Sequence, residues 1–295
     1  MKTAGMKAVA LLVVFAFGAF AGDSRGIHMF TFKDCEIVCI QDTAMKLQQG
    51  LFADAGNSGH RQRAKSYDSS VNVFLIRRQG KAMLVDAGND PSRGSLREKL
   101  RQLGIRPEDI SDIFITHIHP DHVGGLLWED KALFPNATVH VAREEHEAWQ
   151  EDGNRAGLAK YLAPYGPKLH EFEFGEQLPG GLEPLKRGGH TPGHTIYRLS
   201  VEDGTEAVFV GDIVHAVALQ FPFPTFCARF DMAPKEAVAS RITTLQMKGV
   251  LFGAHFPFPG AAQGGAVSTG APNWKFAYRK YAGPAKGRKA VRAWR

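Results

Sequence analysis

Residues 116–122 read THIHPDH, which places three histidines and one aspartate at the end of the apolar, strand-like segment 110–116. Imidazole and carboxylate groups are the ligands that zinc and similar divalent ions accept. The alternative is a surface histidine tract. Such a tract would not stand between a buried strand and the glycine pair Gly124–Gly125. The stretch therefore predicts a metal site.

The order of residues within this stretch predicts two ions. In an extended chain, His117 and His119 point to the same side and can hold one ion. Pro120 ends the extended stretch, and a helix that starts near Asp121 would turn Asp121 and His122 toward a second ion. The glycine pair that follows allows close backbone packing.

Three later segments supply the ligands that one cluster cannot provide. They read GHTPGHT at residues 189–195, GDIVH at 211–215 and GAH at 253–255. The last two, like the first cluster, follow strand-like segments, and loops at strand ends are where binding residues converge.

Strand-like and helix-like segments alternate along the chain without an internal repeat, and no linker divides them. Strands are expected at 30–32, 36–41, 71–77, 82–86, 110–116, 138–141, 171–174, 182–185, 195–201, 207–210, 250–254 and 274–281, and helices at 95–103, 143–150 and 234–247. Segments 42–69 and 220–232 lack a regular pattern, so we expect either functional loops or disordered chain there. Cys35 and Cys39 share a strand-like run and lie too far apart to bridge.

The two ends of the chain differ from its body. Residues 1–21 have two lysines, an apolar run and a final Ala-Phe-Ala, as a secretion signal does. A membrane anchor is the alternative, but the run is shorter than the roughly 20 residues of a span. We expect cleavage, no stable membrane span, and a periplasmic or secreted protein. The folded domain would then cover 22–281.

The positive charge of the chain is concentrated in its last segment. The net charge is +6 at pH 7, but residues 273–295 carry eight lysines and arginines and no acidic residue. The body is therefore mildly acidic, and 282–295 is expected to be a solvated basic tail. Nucleic-acid binding needs a basic face on the fold itself, so no nucleic-acid partner is expected. The sequence leaves a homodimer open.

The metal-binding segments together resemble the motif of the metallo-β-lactamase superfamily, over roughly residues 30–281. The resemblance implies an α/β fold, an αβ/βα sandwich of two mixed sheets flanked by helices, with the metals at one edge between the sheets. It also implies a set of seven ligands. His117, His119 and His190 would hold the first ion, Asp121, His122 and His255 the second, and Asp212 would bridge both.

Two further residues are expected to support these ligands. Asp86, which follows an early strand-like segment, resembles the superfamily's aspartate beneath the ligand loop. The turn at 189–195 contains two Gly-His steps. In ester- and lactone-cleaving members the first histidine binds metal, which implies His190 as the ligand and His194 as its neighbour. The reverse assignment is the alternative.

The implied cofactors are two divalent ions per chain, with zinc expected. Two ions about 3.5–4 Å apart can share a hydroxide at neutral pH, so no serine or cysteine nucleophile is needed. We assign catalytic roles to Asp121 and His215. Asp212 is typical of thioesterases, lactonases and phosphotriesterases, and the local sequence resembles the methyl parathion hydrolase and lactonase branch. Acyl-homoserine lactonases have tyrosine at the position of His215.

The predicted reaction is hydrolysis of a carboxyl ester, lactone or phosphotriester in a fairly apolar small molecule. Five phenylalanines follow the later ligands and form either an apolar pocket wall or ordinary core: Phe221, Phe223, Phe226, Phe256 and Phe258. The alternatives within the fold are a glyoxalase II-like thioesterase and a mononuclear iron enzyme of the persulfide dioxygenase type. A non-catalytic binding protein is a third alternative, although no ligand of the motif is missing.

Overall fold

A computed structural model describes residues 26–56, 59, 61–62, 64–151 and 156–265. The expected signal at 1–21, the expected edge strand at 274–281 and the basic tail at 282–295 lie outside the described residues. The expected domain limits of 22 and 281 therefore stay a prediction.

The described part of the chain alternates strands and short helices. The strands are β1 (Ile27–Thr31), β2 (Cys35–Gln48), β3 (Phe52–Asp54), β4 (Ser66–Arg78), β5 (Lys81–Val85), β6 (Ile110–Phe114), β7 (Leu127–Trp128), β8 (Lys131–Ala132), β9 (Thr138–Ala142), β10 (Leu169–Phe172), β11 (Leu182–Lys186), β12 (Thr195–Ser200), β13 (Glu206–Gly211), β14 (Phe226–Ala228), β15 (Gly249–Gly253) and β16 (Ala261–Gly264). The α-helices are α1 (Leu96–Gln102), α2 (Pro120–Val123), α3 (Arg143–Glu151), α4 (Val217–Gln220) and α5 (Pro234–Leu245).

Two mixed sheets form the centre of the fold. One has seven strands in the order β1-β2-β4-β5-β6-β9-β10, and the other has five in the order β11-β12-β13-β15-β16. In the first sheet β5, β6, β9 and β10 run parallel, and in the second β13 and β15 do. The remaining neighbours in both sheets are antiparallel.

The hydrophobic core forms layers that account for this architecture. Phe74 of the first sheet packs against Phe209 and Phe252 of the second, inside one buried cluster that joins both sheets. A second cluster joins the outer face of the first sheet to α1 and α3. A third joins the outer face of the second sheet to α4 and α5. The expected αβ/βα sandwich is therefore confirmed.

The expectation of irregular chain at 42–69 and 220–232 was wrong in part. Strands β2 and β4 continue past the sheet as a paired ribbon, with Met45 opposite Ser69 and Leu47 opposite Tyr67. The ribbon buries only one of its faces. The outer half of β2 therefore has just two half-buried apolar residues, Met45 and Leu47, and these give little signal for a strand. The two misjudged segments also pair with each other, because β3 and β14 form a small antiparallel sheet. No described helix is both long and apolar enough to cross a membrane.

Candidate metal centre

Four chain segments meet at one edge of the sandwich. His117 follows β6, Asp212 follows β13, and His255 follows β15. The fourth segment is the turn between β11 and β12, which carries His190. Strand ends fix the direction in which each loop leaves, so residues far apart in sequence reach a common point.

The first group of ligand atoms is compact. The Nε2 atom of His117 lies 2.8 Å from Nδ1 of His119. The Nε2 atom of His190 lies 3.0 Å from the same Nδ1 and 3.2 Å from Nε2 of His117. With Asp212, these atoms form a cluster able to hold a metal ion. The structure thus brings together the three histidines expected at the first ion.

The second group contains Asp121, His122 and His255. The Oδ2 atom of Asp121 lies 3.9 Å from Nε2 of His122 and 3.5 Å from Nε2 of His255. As expected, α2 begins at Pro120 and turns Asp121 and His122 inward. The glycine pair is also required, because a Cβ on Gly125 would lie 2.0 Å from the carbonyl oxygen of Ala87.

Asp212 stands between the two groups. Its Oδ1 atom lies 3.0 Å from Nε2 of His122, and its Oδ2 atom lies 3.2 Å from Nε2 of His190. Its Oδ2 atom also lies 3.1 Å from Nε2 of His255. Among the described residues, neither Nε2 of His122 nor Oδ1 of Asp212 has a hydrogen-bond partner, although both are buried. Buried polar atoms normally have partners, and a cation between the groups would satisfy both.

In three of the histidines, the hydrogen bond made by Nδ1 determines where the lone pair of Nε2 points. His122 donates from Nδ1 to Asp86 at 2.8 Å, and His190 donates from Nδ1 to Asp231 at 2.8 Å. His255 donates from Nδ1 to the backbone carbonyl of Ser70 at 2.7 Å. When each ring is neutral with its one proton on Nδ1, the lone pair of Nε2 faces the centre. That tautomer is the one a metal ion requires.

Asp86 extends the same arrangement to His117. The Asp86 carboxylate accepts hydrogen bonds from the backbone nitrogen of Thr116 at 2.8 Å and from its hydroxyl at 2.9 Å. Because that hydroxyl proton goes to Asp86, the Thr116 oxygen accepts from Nδ1 of His117, 3.1 Å away. Asp86 itself has a positive φ of 60°, a backbone conformation that aspartate tolerates better than most residues. The donor set therefore fits divalent ions.

The structure separates the roles of His190 and His194. His194 lies behind Asp212 and accepts a hydrogen bond at Nε2 from the Asp212 backbone nitrogen, at 3.0 Å. This contact uses the atom that would otherwise bind metal, whereas Nε2 of His190 faces the first group. The geometry favours His190 as the ligand and His194 as a support for the Asp212 backbone.

Asp212 dominates the electrostatics of the centre. Burial opposes its ionisation, but the surrounding histidines, led by His122 and His255, hold the pKa of its carboxyl well below the usual range. Burial lowers the pKa of His119 to about 3, and the neighbouring His190 adds to this. Burial also lowers the pKa of His190, but its hydrogen bonds to Asp212 and Asp231 outweigh this and raise it to about 9. An ionised carboxylate surrounded by imidazoles is suited to attract a cation.

His215 lies beside the centre with a different environment. Its Nε2 atom is 3.1 Å from Oδ2 of Asp212, but its buried Nδ1 atom has no hydrogen-bond partner among the described residues. Its ring lies 4.9 Å from that of Phe230. His215 thus lacks the anchoring bond to Nδ1 that His122, His190 and His255 have.

The sequence profile of the metallo-beta-lactamase superfamily matches residues 66–246. The chain belongs to this superfamily. The match covers more than half of the chain and includes every expected ligand except His255. Relatives of the chain include N-acyl homoserine lactonases and hydrolases, in agreement with a metallo-hydrolase of the lactonase type.

Individual relatives are distant. Uncharacterized protein YobT of Bacillus subtilis is 29% identical over 175 residues, which cover 53% of this chain and 71% of that protein. An N-acyl homoserine lactonase of a Bacillus species is 34% identical over 104 residues, 35% of this chain and 38% of that protein. The chain thus matches less than half the length of this lactonase.

Two solved structures superpose on most of the chain. The structure of hydrolase AbOPH in the beta lactamase superfamily has a TM-score of 0.76 at 26% identity, covering 90% of this chain and 100% of that one. AidC, described as a dizinc quorum-quenching lactonase, has a TM-score of 0.75 at 24% identity, covering 87% and 98%. At 24% identity, the similarity to AidC shows only that the two proteins share a fold.

A cavity of about 340 Å³ opens onto the centre of this superfamily member. Asp121, Asp212, His119, His215 and His255 form its polar side, and Met45, Leu47 and Phe230 form its apolar side. The phenylalanines considered for the pocket wall do not line the cavity. Phe221 and Phe256 belong to the core outside the second sheet, and Phe226 to the core beside β3. Phe223 and Phe258 pack partly buried against the cores. The core alternative was correct.

Two buried carboxylates that support the ligands were missed by the sequence analysis. Asp231 holds His190, and Glu145 in α3 accepts a hydrogen bond from the backbone nitrogen of Ile118 at 3.0 Å. Burial opposes ionisation of Asp231, but its bonds to His190 and its neighbours lower its pKa to about 2. Asp231 lies in a segment without pattern, and Glu145 in a helix with four acidic residues, so neither had a distinguishing signal.

Proposed function

We propose that the protein is a dinuclear metal-dependent hydrolase that cleaves an ester-type bond in a fairly apolar small molecule. The observation that carries this proposal is the position of Asp212. One of its oxygens faces His122 of the second group, and the other faces His190 of the first. A carboxylate shared by two donor groups is the feature that two adjacent ions need.

Bound divalent ions would supply a polarising charge for the substrate oxygen and a water ionised at neutral pH. We propose zinc, because histidine nitrogens and carboxylate oxygens are its usual ligands. The residues that would hold the first ion are His117, His119, His190 and Asp212, and those for the second are Asp121, His122, His255 and Asp212.

The side chains on the cavity floor would act directly on the substrate. Asp121 is only partly buried, with 28% of its side chain accessible, so it can touch both a metal ion and the reacting group. His215 lines the cavity, with its Nε2 beside Asp212, and a proton on that nitrogen would pass to the oxygen that gains charge as the ester bond breaks. We therefore propose Asp121 and His215 as the catalytic residues.

The apolar side of the cavity supports an acyl or aryl substituent. Met45, Leu47 and Phe230 can bury such a group while the ester oxygen faces the metals. Several relatives are N-acyl homoserine lactonases, which favours a lactone among the ester-type substrates. His215 takes the position where acyl-homoserine lactonases have tyrosine, so we propose the broader class of lactones and esters. A small-molecule substrate, no nucleic-acid partner and export from the cytoplasm complete the proposal.

The test is a substrate screen on the full chain, stripped of metal with a chelator and then reloaded. We expect hydrolysis of a lactone, aryl ester or aryl phosphotriester that disappears on chelation and returns with zinc. The matched control is Asp130→Asn, an exposed aspartate outside the cavity, which should retain full activity when Asp212→Asn loses it. Activity confined to thioesters would favour the glyoxalase II-like alternative. Oxygen uptake with iron would favour the persulfide dioxygenase type.

A further inference from the structure

The buried carboxylate of Glu145 joins the two loops that carry the first group of ligands. Its Oε1 atom accepts from the backbone nitrogen of Ile118, which lies between the ligands His117 and His119. Its Oε2 atom accepts from the hydroxyl of Thr191 at 2.8 Å and from the backbone nitrogen of Gly193 at 2.9 Å. Thr191 and Gly193 lie in the turn of His190. One side chain therefore fixes the distance between two ligand segments that are far apart in sequence.

The helix that carries Glu145 is docked closely enough to make these bonds rigid. A Cβ on Gly193 would lie 2.3 Å from the backbone nitrogen of Glu145, so only glycine lets the turn approach α3 at this point. Trp149, one turn later, donates from Nε1 to Oε1 of Glu145 at 2.6 Å. The Trp149 ring also packs edge-on against His119, with centroids 5.3 Å apart.

The second group of ligands is supported by other residues. His122 is held by Asp86, and His255 by the carbonyl of Ser70. Within the described part of the chain, Glu145 accepts hydrogen bonds from Ile118, Trp149, Thr191 and Gly193, and none of these reaches His122 or His255. The two groups share Asp212 but have separate supports.

We propose that Glu145 is a positioning residue that sets the affinity of the first metal site and leaves the second largely unaffected. The inference rests on the proposed function, because it assumes that ions bind at these groups. Glu145 touches neither metal nor substrate. It acts by holding His190 at the distance from His117 and His119 that one ion requires.

The test is the metal affinity of Glu145→Gln, measured by cobalt titration of the full chain against a competing chelator. The amide keeps the shape of the side chain but turns an NH₂ group toward two hydrogen-bond donors. We expect one binding step to weaken, on the order of 10–100-fold, and the other to keep its affinity. Glu147→Gln is the matched control, because Glu147 is exposed on the same helix and should leave both steps unchanged.

A second variant assigns the weakened step to a site. His255→Ala removes a ligand of the second group, so the step that persists in it belongs to the first. Adding Glu145→Gln to that background should weaken the persisting step to the same degree. Thr191→Val provides a milder test should Glu145→Gln fail to fold. It deletes one of the four bonds and should still weaken the same step.

Three results would overturn the inference: unchanged affinity in Glu145→Gln, equal weakening of both steps, or weakening of only the step that His255→Ala abolishes. Loss of affinity without loss of thermal stability separates positioning from a general effect on folding. A wild-type chain that binds no divalent ion would refute the proposed function itself, whereas equal affinities of wild type and Glu145→Gln refute only the role of Glu145.

Discussion

His190 donates a hydrogen bond from Nδ1 to the carboxylate of Asp231, 2.8 Å away, and both side chains are buried. Asp231 is held in turn by the buried guanidinium of Arg241, 3.4 Å away, and by the backbone nitrogen of Ala228, 3.0 Å away. This contact fixes both the ring orientation of His190 and the nitrogen that faces the first group.

Replacing Asp231 therefore tests whether the tautomer of His190 matters. We expect Asp231→Asn to weaken divalent-ion binding on the order of 10–100-fold, because the amide no longer attracts the Nδ1 proton as strongly. A chelator competition measures the change, with Asp130→Asn as the exposed control. Wild-type affinity in Asp231→Asn would show that the contact serves folding alone.

Gly125, which follows the second group of ligands, should be required for stability because its backbone is closely packed. A Cβ at this position would lie 2.0 Å from the carbonyl oxygen of Ala87, and the Gly125 nitrogen donates to the carbonyl of Gly88 at 3.1 Å. We expect Gly125→Ala to lower the free energy of unfolding by about 1–3 kcal/mol, as measured by urea denaturation. Gly50→Ala is the control, since nothing lies within 4 Å of a Cβ there. Equal stability of the two variants would contradict the packing argument.

The metal-binding residues could largely be predicted from sequence because they carry a dense local signal. The ligands His117 to His122 fall within one short stretch, and Asp212 and His255 each follow a strand. Two of the residues that support these ligands could not be predicted. Asp231 lies 41 residues from its partner His190, and Glu145 lies 46 from Thr191. A lone carboxylate in a loop or an acidic helix carries no sign of such a distant contact.

The strands, like the ligands, could be predicted only where the sequence carries a clear local signal. Strand β13, which is buried on both faces, was predicted because residues 207–210 are continuously apolar. The ribbon formed by β2 and β4 was missed because its outer half is held by backbone pairing and buries only one side. Two residues of the apolar side of the cavity, Met45 and Leu47, lie on this ribbon, so they were not predicted as pocket wall.

His215→Ala separates substrate contact from metal support. The Nδ1 atom of His215 has no partner among the described residues, so we expect the variant to keep its full metal content. Its kcat should fall roughly 10²-fold, the loss typical for one hydrogen-bond donor to a developing oxyanion. Steady-state kinetics with matched metal analysis provides the test, and His170→Ala, a half-exposed site on β10, is the control. A loss of metal that accounts for the whole fall in rate would refute the catalytic role.

Phe230 should select for apolar substrates. It is 40% exposed and lines the cavity beside His215, so its removal exposes bound substrate without disturbing the core. We expect Phe230→Ala to lower kcat/KM about tenfold for substrates with long apolar substituents, a loss of about 1.4 kcal/mol. Short esters should be affected little. Trp128→Ala is the matched control, because Trp128 is the other large exposed aromatic among the described residues and does not line this cavity. Equal losses for short and long substrates would contradict a role in selection.

The number of divalent ions bound per chain is the direct test of the dinuclear centre. Elemental analysis of the full chain, saturated with zinc and then freed of excess metal, should find two ions. The placement of Asp212 between His122 and His190 further predicts fewer than two ions in Asp212→Ala, because the shared ligand is lost. A wild-type chain that retains one ion or none at saturating zinc would contradict the dinuclear centre.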